Sequence, residues 1–218
     1  MTSEDEKRIA AEAAVAFVTD GMTVGLGTGS TVAYLLPALA DRHLDIRCVA
    51  TSPRTAEAAA ALGLLVLDFS EVDRFDIAID GADQIAPDGW LIKGGGAAHT
   101  REKVVANAAD RFVVIADSSK PVDALHGSVP VELLEYGLAA TLRELGHVAL
   151  RDVPRSPDGG IIGDYHGDLA DPAVLSARLS AAPGLVEHGL FPPSMVGDVL
   201  IARGSDVEHR VIGRSLRG

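Results

Sequence analysis

Three loops combine glycines with carboxylates, hydroxyls and a lysine, at spacings that suit chemistry on a small anionic molecule. Residues 25–31 read Gly-Leu-Gly-Thr-Gly-Ser-Thr, residues 80–84 read Asp-Gly-Ala-Asp-Gln, and residues 93–102 read Lys-Gly-Gly-Gly-Ala-Ala-His-Thr-Arg-Glu. Glycine lets the backbone approach a ligand closely, and N–H groups and hydroxyls at a helix start bind phosphate. Carboxylates in a water-poor pocket can shuttle protons. Together the loops predict proton transfer beside a carbonyl group of a phosphorylated substrate.

Each loop also has a purely structural interpretation. Residues 25–31 could form a tight strand-to-helix turn with Ser30 as a plain N-cap, and Asp80 or Asp83 could serve only a turn. The glycines at 94–96 could form a flexible linker, although their entropy cost suggests that the backbone passes close to something. Glu102, in the first turn of the next helix, could merely complement the helix dipole. These alternatives remain open from the loops alone.

Two nucleotide-binding motifs fit the first loop poorly. The dinucleotide fingerprint requires glycine where Ser30 stands, and an acid at the end of the next strand, where the chain has Thr51 and Ser52. The P-loop requires a lysine before its Ser or Thr, and this loop has none. The loop therefore favours a phosphate of a small molecule over a nucleotide.

The elements that position these loops alternate between strands and helices. Apolar runs predict strands at 22–26, 46–50, 64–67, 75–79 and 111–116, and helical periodicity predicts helices at 4–18, from 32 onwards, at 53–62 and at 100–109. Ser3 and Glu6 predict a capping box for the first helix, and Pro37 predicts a kink or early stop in the second. The pattern is typical of an α/β fold with a doubly wound, mainly parallel, Rossmann-like sheet. All three loops are expected where ligands bind such sheets, beyond the carboxyl ends of the strands.

After Pro121 the predicted strands and helices become shorter, which indicates a second, smaller α+β domain. Shorter elements are predicted at 129–133, 137–145, 147–152, 161–166, 172–181 and 185–190, with a hairpin turn at 156–160 and a strand at 197–202. We expect a catalytic α/β domain of residues 1–126 plus 204–218. Residues 127–203 would form the smaller domain, which could serve oligomerisation.

Composition narrows the possible partners. The net charge of −12 and the lack of a basic run argue against nucleic-acid binding. Cys48 is the single cysteine, so we expect no disulfide, and neither the N-terminus nor any apolar run predicts export or a membrane span. A cytoplasmic location is expected. The seven histidines show no zinc-ligand spacing, and the alternation of Asp164, His166 and Asp168 is more typical of a solvated hairpin face than of a metal site.

Several motifs in register resemble the type A ribose-5-phosphate isomerases. They are Gly27-Thr28-Gly29-Ser30-Thr31, Asp80-Gly81-Ala82-Asp83, residues 93–98 with 100–103, and Ala116-Asp117-Ser118-Ser119-Lys120-Pro121. Residues 130–132, 164–167, 171–172 and 183–191 are similar to that family's smaller domain. The chain departs from the family pattern at Gln84, where glutamate is expected, and at His99, where leucine is usual. Both departures leave every proposed catalytic group in place.

The resemblance implies interconversion of ribose 5-phosphate and ribulose 5-phosphate through an enediolate, in the non-oxidative pentose phosphate pathway. It implies that Glu102 is the base, that Asp80 and Asp83 assist ring opening and proton exchange, and that Lys93 stabilises the enediolate. The substrate-binding residues that it implies are Thr28, Gly29, Ser30, Thr31, Gly81, Ala82, Gly94, Gly95, Gly96, Lys120 and Lys7. It implies no cofactor or metal, a sugar phosphate as the small-molecule partner, and a homodimer.

Other functions remain possible at this point. A sugar-phosphate sensor would need a DNA-binding module, for which the roughly 20 residues before the first strand are too few. An amino-sugar phosphate deaminase would release ammonia, and a coenzyme A transferase would form a glutamyl thioester. Formation of ribulose 5-phosphate would distinguish the isomerase from all three.

Overall fold

The computed structural model describes residues 1–213, and the chain forms two compact units. The larger unit contains Met1–Ala82, Arg101–Lys120 and residues 193–213, and the smaller contains Asp83–Thr100 and Pro121–Pro192. These boundaries differ from the predicted ones, because residues 83–100 and 121–126 fall in the smaller unit and 193–203 in the larger. Residues 214–218 of the predicted catalytic domain lie outside the described residues.

The regular elements alternate along the first half of the chain. In chain order the strands are β1 Thr23–Leu26, β2 Arg47–Ala50, β3 Leu65–Val66, β4 Ile77–Asp80, β5 Gln84–Ile85, β6 Leu91–Ile92, β7 Phe112–Asp117, β8 Val129–Leu133, β9 Val148–Leu150, β10 Ile161–Tyr165, β11 Leu185–His188, β12 Leu190–Phe191, β13 Asp198–Arg203 and β14 Asp206–Val211. The helices are α1 Ser3–Ala14, α2 Val32–Ala40, α3 Pro53–Ala61, α4 His99–Ala108, α5 Leu138–Leu145 and α6 Pro172–Ser180, with 3₁₀ turns at Val15–Phe17, Phe69–Glu71 and Pro193–Met195.

A seven-stranded sheet forms the centre of the larger unit. Its order is β14-β13-β7-β4-β1-β2-β3, and all neighbours are parallel except the antiparallel pair of β13 and β14. Strands β1, β4 and β7 are buried along their whole length, as expected for apolar strands covered on both faces. The predicted α/β class with a mainly parallel sheet is confirmed. Because β13 pairs with β7, residues 198–203 belong to this sheet.

In the larger unit the predicted capping box is wrong, and one of the two alternatives predicted at Pro37 is excluded. The capping box of α1 is formed by Thr2 and Asp5, one residue earlier than predicted, because the carboxylate of Glu6 bonds instead to Ser118 and Gly204. Helix α2 also continues three residues past Pro37, to Ala40, so the early stop does not occur.

The smaller unit contains two antiparallel sheets. One has the order β11-β8-β10-β9. The other, β12-β6-β5, consists of two-residue strands, which the sequence pattern did not predict. The predicted turn at 156–160 joins β9 to β10, which pair antiparallel. Leu133, Leu179 and Leu190 belong to a separate apolar core in this unit. Within residues 1–213, no helix has the length and apolar character needed to span a membrane.

Candidate active site

Asp80 is fixed against the glycine loop that follows β1. Its side chain is 3% exposed, and Oδ1 accepts hydrogen bonds from the backbone N–H of Thr28 at 3.1 Å and of Gly81 at 2.7 Å. A Cβ at Gly27 would lie 2.0 Å from Asp80 Cγ, so only glycine leaves room for the carboxylate. The contact with Thr28 joins two strand ends and goes beyond the purely local turn considered from the sequence.

The start of α2 presents the predicted phosphate loop. Gly29 has φ +136°, a backbone conformation that favours glycine, and Gly29 and Ser30 are exposed. Thr31, and not Ser30, is the N-cap residue; it is buried, and its side chain makes no capping hydrogen bond. The N–H groups at this helix start therefore suit an anion.

Thr51, which lies outside the three predicted loops, supports the first of them from the end of β2. Its hydroxyl lies 2.8 Å from the Thr28 hydroxyl, and it is 1% exposed. The hydroxyl of Thr55 donates to the carbonyl of Gly27 at 3.0 Å. A hydroxyl residue directly after a buried strand is the only sequence signal for this role.

Glu102 lies in the first turn of α4 and is 5% exposed. A Cβ at Gly25 would lie 2.4 Å from Val105 Cγ1, one turn further along the helix. Gly25 therefore lets α4 pack closely against β1, and this packing fixes the helix that carries Glu102. The positive end of the helix dipole stabilises an ionised carboxylate at this position.

Lys7 and Lys120, the two predicted substrate-binding lysines of the larger unit, have different surroundings. Lys7 Nζ lies 2.6 Å from Glu4 Oε1, and the other Glu4 oxygen accepts from Tyr34. The Lys7 side chain is mostly buried, so it is not the simply solvated lysine that its helix suggested. Lys120 follows a turn in which Asp117 Oδ1 accepts from the backbone N–H of Ser119 at 2.8 Å.

The same turn is tied to α1 through Glu6. Its carboxylate accepts from the N–H of Gly204 at 2.8 Å, and from the hydroxyl and N–H of Ser118 at 2.6 and 2.9 Å. These hydrogen bonds, with that of Gly204 the largest cause, lower the pKa of Glu6 to about 2. Glu6 therefore holds the chain just before Lys120 in place.

In the smaller unit, Asp83 lies against the triple-glycine loop. The N–H of Gly95 donates to Asp83 Oδ2 at 2.8 Å, and Asp83 is otherwise exposed. Gly94 has φ +106°, and a Cβ there would lie 2.7 Å from His99 Nδ1 and 2.8 Å from Pro130 Cβ. Gly94 is thus required by close packing within the protein, which argues against the flexible-linker interpretation.

Lys93 is 3% exposed, and its Nζ lies 5.5 Å from the centroid of the Phe191 ring. Its backbone N–H donates to the carbonyl of Gly189 at 2.9 Å. Gly81 and Ala82 are half-buried in the larger unit, and Gly96 is exposed in the smaller. The structure thus brings Asp80 together with Thr28 and Gly81, and Asp83 together with Gly95. Among residues 1–213, no group of three or more His, Cys, Asp or Glu side chains could hold a metal ion.

Comparison with known proteins agrees with the motifs. The family model described as ribose 5-phosphate isomerase A (phosphoriboisomerase A) matches residues 47–206. The chain belongs to this family. Similar curated relatives are the ribose-5-phosphate isomerases A of Halorubrum lacusprofundi, 47% identical with 87% of this chain and 89% of the relative covered, and of Caulobacter sp. strain K31, 44% identical with 88% and 91% covered.

Solved structures of the family have the same fold. Ribose 5-phosphate isomerase A from Neisseria gonorrhoeae is 33% identical with a TM-score of 0.92, covering 97% of this chain and 98% of that one. A D-ribose-5-phosphate isomerase in complex with phospho-erythronic acid is 33% identical with a TM-score of 0.91, covering 97% of this chain and 100% of that one. The resemblance stated from the motifs is confirmed, and the activity of the protein is that of a ribose-5-phosphate isomerase.

Proposed function

We propose that the protein interconverts D-ribose 5-phosphate and D-ribulose 5-phosphate through an enediolate, with Glu102 as the base. In the forward direction the proton on C2 passes to Glu102 and is returned to C1, while a hydroxyl proton moves from O2 to O1. No net oxidation occurs and no co-reactant is consumed. This is the isomerase step of the non-oxidative pentose phosphate pathway.

The other predicted residues supply the remaining chemistry. The ammonium of Lys93 stabilises the negative charge that develops on the enediolate oxygen. Asp80 and Asp83 exchange the hydroxyl protons during ring opening and isomerisation. Residues 28–31 hold the phosphate through N–H groups and hydroxyls, and Lys7 and Lys120 add local positive charge that offsets the negative net charge of the chain.

The observation that carries the proposal is the fixed position of Asp80. Its carboxylate is buried and oriented by the N–H groups of Thr28 and Gly81, next to the loop that suits a phosphate. A carboxylate with a fixed orientation can exchange protons with one defined hydroxyl group of a bound substrate. The relative with bound phospho-erythronic acid adds support, because the carboxylate of that sugar acid has the planar pair of oxygens found in an enediolate.

The deciding experiment compares Glu102→Gln with the unaltered protein after chelation of metals. Appearance of ribulose 5-phosphate from ribose 5-phosphate measures turnover, and proton exchange at C2 in deuterated water measures abstraction. Removal of a general base should lower kcat by about 10²- to 10⁴-fold while substrate binding, measured by calorimetry, persists. Glu57→Gln, on the exposed side of α3, is the control.

Near-normal isomerisation by Glu102→Gln would reject Glu102 as the base and direct attention to Asp80 or Asp83. Absence of ribulose 5-phosphate with the unaltered protein would reject the proposed function itself. We also propose that the chain forms a homodimer. Its support is the number of exposed apolar side chains in the smaller unit, namely Leu134, Tyr136, Leu150, Val153, Val174 and Val186.

A further inference from the structure

Arg151 makes an unusual set of contacts at the end of β9. Its Nε donates to Asp164 Oδ2 and its Nη2 to Asp164 Oδ1, both at 2.7 Å, so the pair has the bidentate geometry of strong guanidinium–carboxylate contacts. Both side chains are about one-fifth exposed. The hydroxyl of Ser128 donates to Asp164 Oδ1 at 3.2 Å and completes the coordination of the carboxylate.

The third nitrogen of the guanidinium points to the triple-glycine loop. Arg151 Nη1 donates to the carbonyl of Gly94 at 2.9 Å and of Gly95 at 3.3 Å. On the other side of the same residue, the N–H of Gly95 donates to Asp83. The backbone of Gly95 is therefore held at its carbonyl by Arg151 and at its N–H by Asp83.

The backbone of this loop needs such support. Gly94 at φ +106° and Ala97 at φ +59° both lie in conformations that are uncommon for a chain and, for alanine, strained. Without fixed partners, three consecutive glycines would sample many conformations. Lys93 and Asp83, two of the proposed catalytic residues, lie directly beside the segment that would move.

Electrostatics agree with this geometry. The hydrogen bonds with Asp164 raise the pKa of Arg151, and the negative charge of Asp83 also contributes. The Arg151 contact in turn lowers the pKa of Asp164. The guanidinium therefore remains charged. It binds the carboxylate of Asp164 on β10 and two carbonyls of the loop, and it is attracted by the negative charge of Asp83.

We infer that Arg151, oriented by Asp164, is a positioning residue of the isomerisation reaction that holds residues 93–95 and Asp83 in their reactive arrangement. The inference rests on the proposed function. It assigns a catalytic consequence to a hairpin whose alternating Asp164, His166 and Asp168 suggested only a solvated face. A lysine cannot replace Arg151 fully, because one ammonium lacks the planar fork that reaches both Asp164 and the carbonyls.

The test measures kcat and KM of Arg151→Met and Arg151→Lys for ribose 5-phosphate, beside Arg155→Met. Arg155 is the matched control, because it also follows β9 and also makes polar contacts through its guanidinium. It pairs with Glu135 at 2.8 Å and donates to the carbonyl of Gly159 at 3.1 Å, and neither partner belongs to residues 93–95. Loss of positioning should lower kcat of Arg151→Met by about 10- to 100-fold, with little change in KM. Arg151→Lys should recover part of that loss.

Two further measurements separate positioning from folding. The first is thermal unfolding, which gives the folded fraction of each variant. The second is the kcat of Arg151→Ala with added methylguanidinium, and the unaltered protein with the same addition is its control. Rescue of kcat by methylguanidinium is expected only if the guanidinium acts on a folded site. Asp164→Asn should lower kcat about as much as Arg151→Met does. The variant that carries both substitutions should show a smaller loss of activation free energy than the sum of the two single losses.

The inference is overturned if Arg151→Met has the same kcat as Arg155→Met, or if the loss of kcat in Arg151→Met is proportional to its unfolded fraction. It is also overturned if Arg151→Met changes KM and leaves kcat unaltered. In the last case Arg151 would bind substrate and would not position the loop. Each of these results requires that the unaltered protein isomerises ribose 5-phosphate. Failure of the unaltered protein would reject the proposed function instead, so the two failures are distinguishable.

Discussion

Individual backbone N–H groups orient the carboxylates of both units. Asp80 accepts from Thr28 and Gly81, while Asp83 accepts from Gly95. A backbone donor has little freedom of its own, so Oδ1 of Asp80 and Oδ2 of Asp83 are held in place before substrate arrives. Preorganisation of this kind lowers the reorganisation that the transition state would otherwise require.

The phosphate loop gives a prediction at the same scale. Ser30→Ala and Thr31→Ala should each raise KM several-fold with a smaller change in kcat, because phosphate contacts are alike in the ground and transition states. Thr31→Ser keeps the hydroxyl and is the control for Thr31→Ala. Steady-state kinetics with ribose 5-phosphate measure both constants. A fall in kcat at unchanged KM would place these hydroxyls at the reacting carbons instead.

The sequence pointed to the proposed site residues more readily than to the residues that support them. Asp80, Asp83 and Glu102 stand in short motifs with distinctive composition, so they could be selected from the chain alone. Thr51 and Arg151 could not, because a threonine after a strand or an arginine in a hairpin is common. Their roles depend on which distant loop folds beside them, and no local pattern encodes that.

At the scale of elements, α1 is attached to two other segments by one carboxylate. The folded protein lowers the pKa of Glu6 from 4.5 to about 2, so its contribution to stability is complete above about pH 4.5. It is lost as the pH falls through the folded value, because the carboxylate must then be protonated.

Glu6→Gln should therefore lower the urea midpoint at neutral pH, since the amide places an N–H group where the carboxylate accepts a hydrogen bond. The difference from the unaltered protein should shrink as the pH falls from 4.5 towards 2. Glu12→Gln is the control on the same helix, because Glu12 is exposed and pairs with the exposed side chain of Arg8. Equal effects of the two substitutions would contradict the attachment of α1 through Glu6.

The apolar strands of the seven-stranded sheet were predictable, and the two-residue strands of the smaller unit were not. Strands β1, β4 and β7 have near-continuous apolar sequences, and their predicted ranges overlap the observed ones closely. Strands β5, β6 and β12 have two residues each, too few to show a period. They exist because tertiary neighbours supply their hydrogen bonds. Likewise, α2 continues through Pro37 although local propensity favours a break.

At the scale of the whole molecule, the proposed homodimer predicts a solution mass twice that of the 22.6 kDa chain. Burial of exposed apolar surface would drive this association, so it should persist at high salt concentration. Light scattering coupled to size-exclusion chromatography measures the mass. A single species at the monomer mass over a wide concentration range would reject the homodimer.

The division of the larger unit among three stretches of chain has a consequence for protein synthesis. Strand β7 pairs on one side with β4, which precedes it closely, and on the other with β13, about 80 residues later. On the ribosome, that side of β7 is therefore left without its partner while residues 121–192 of the smaller unit are translated. An unpaired edge of a buried strand is a site for wrong association. We therefore expect the nascent chain to be prone to wrong association until β13 emerges and pairs with β7.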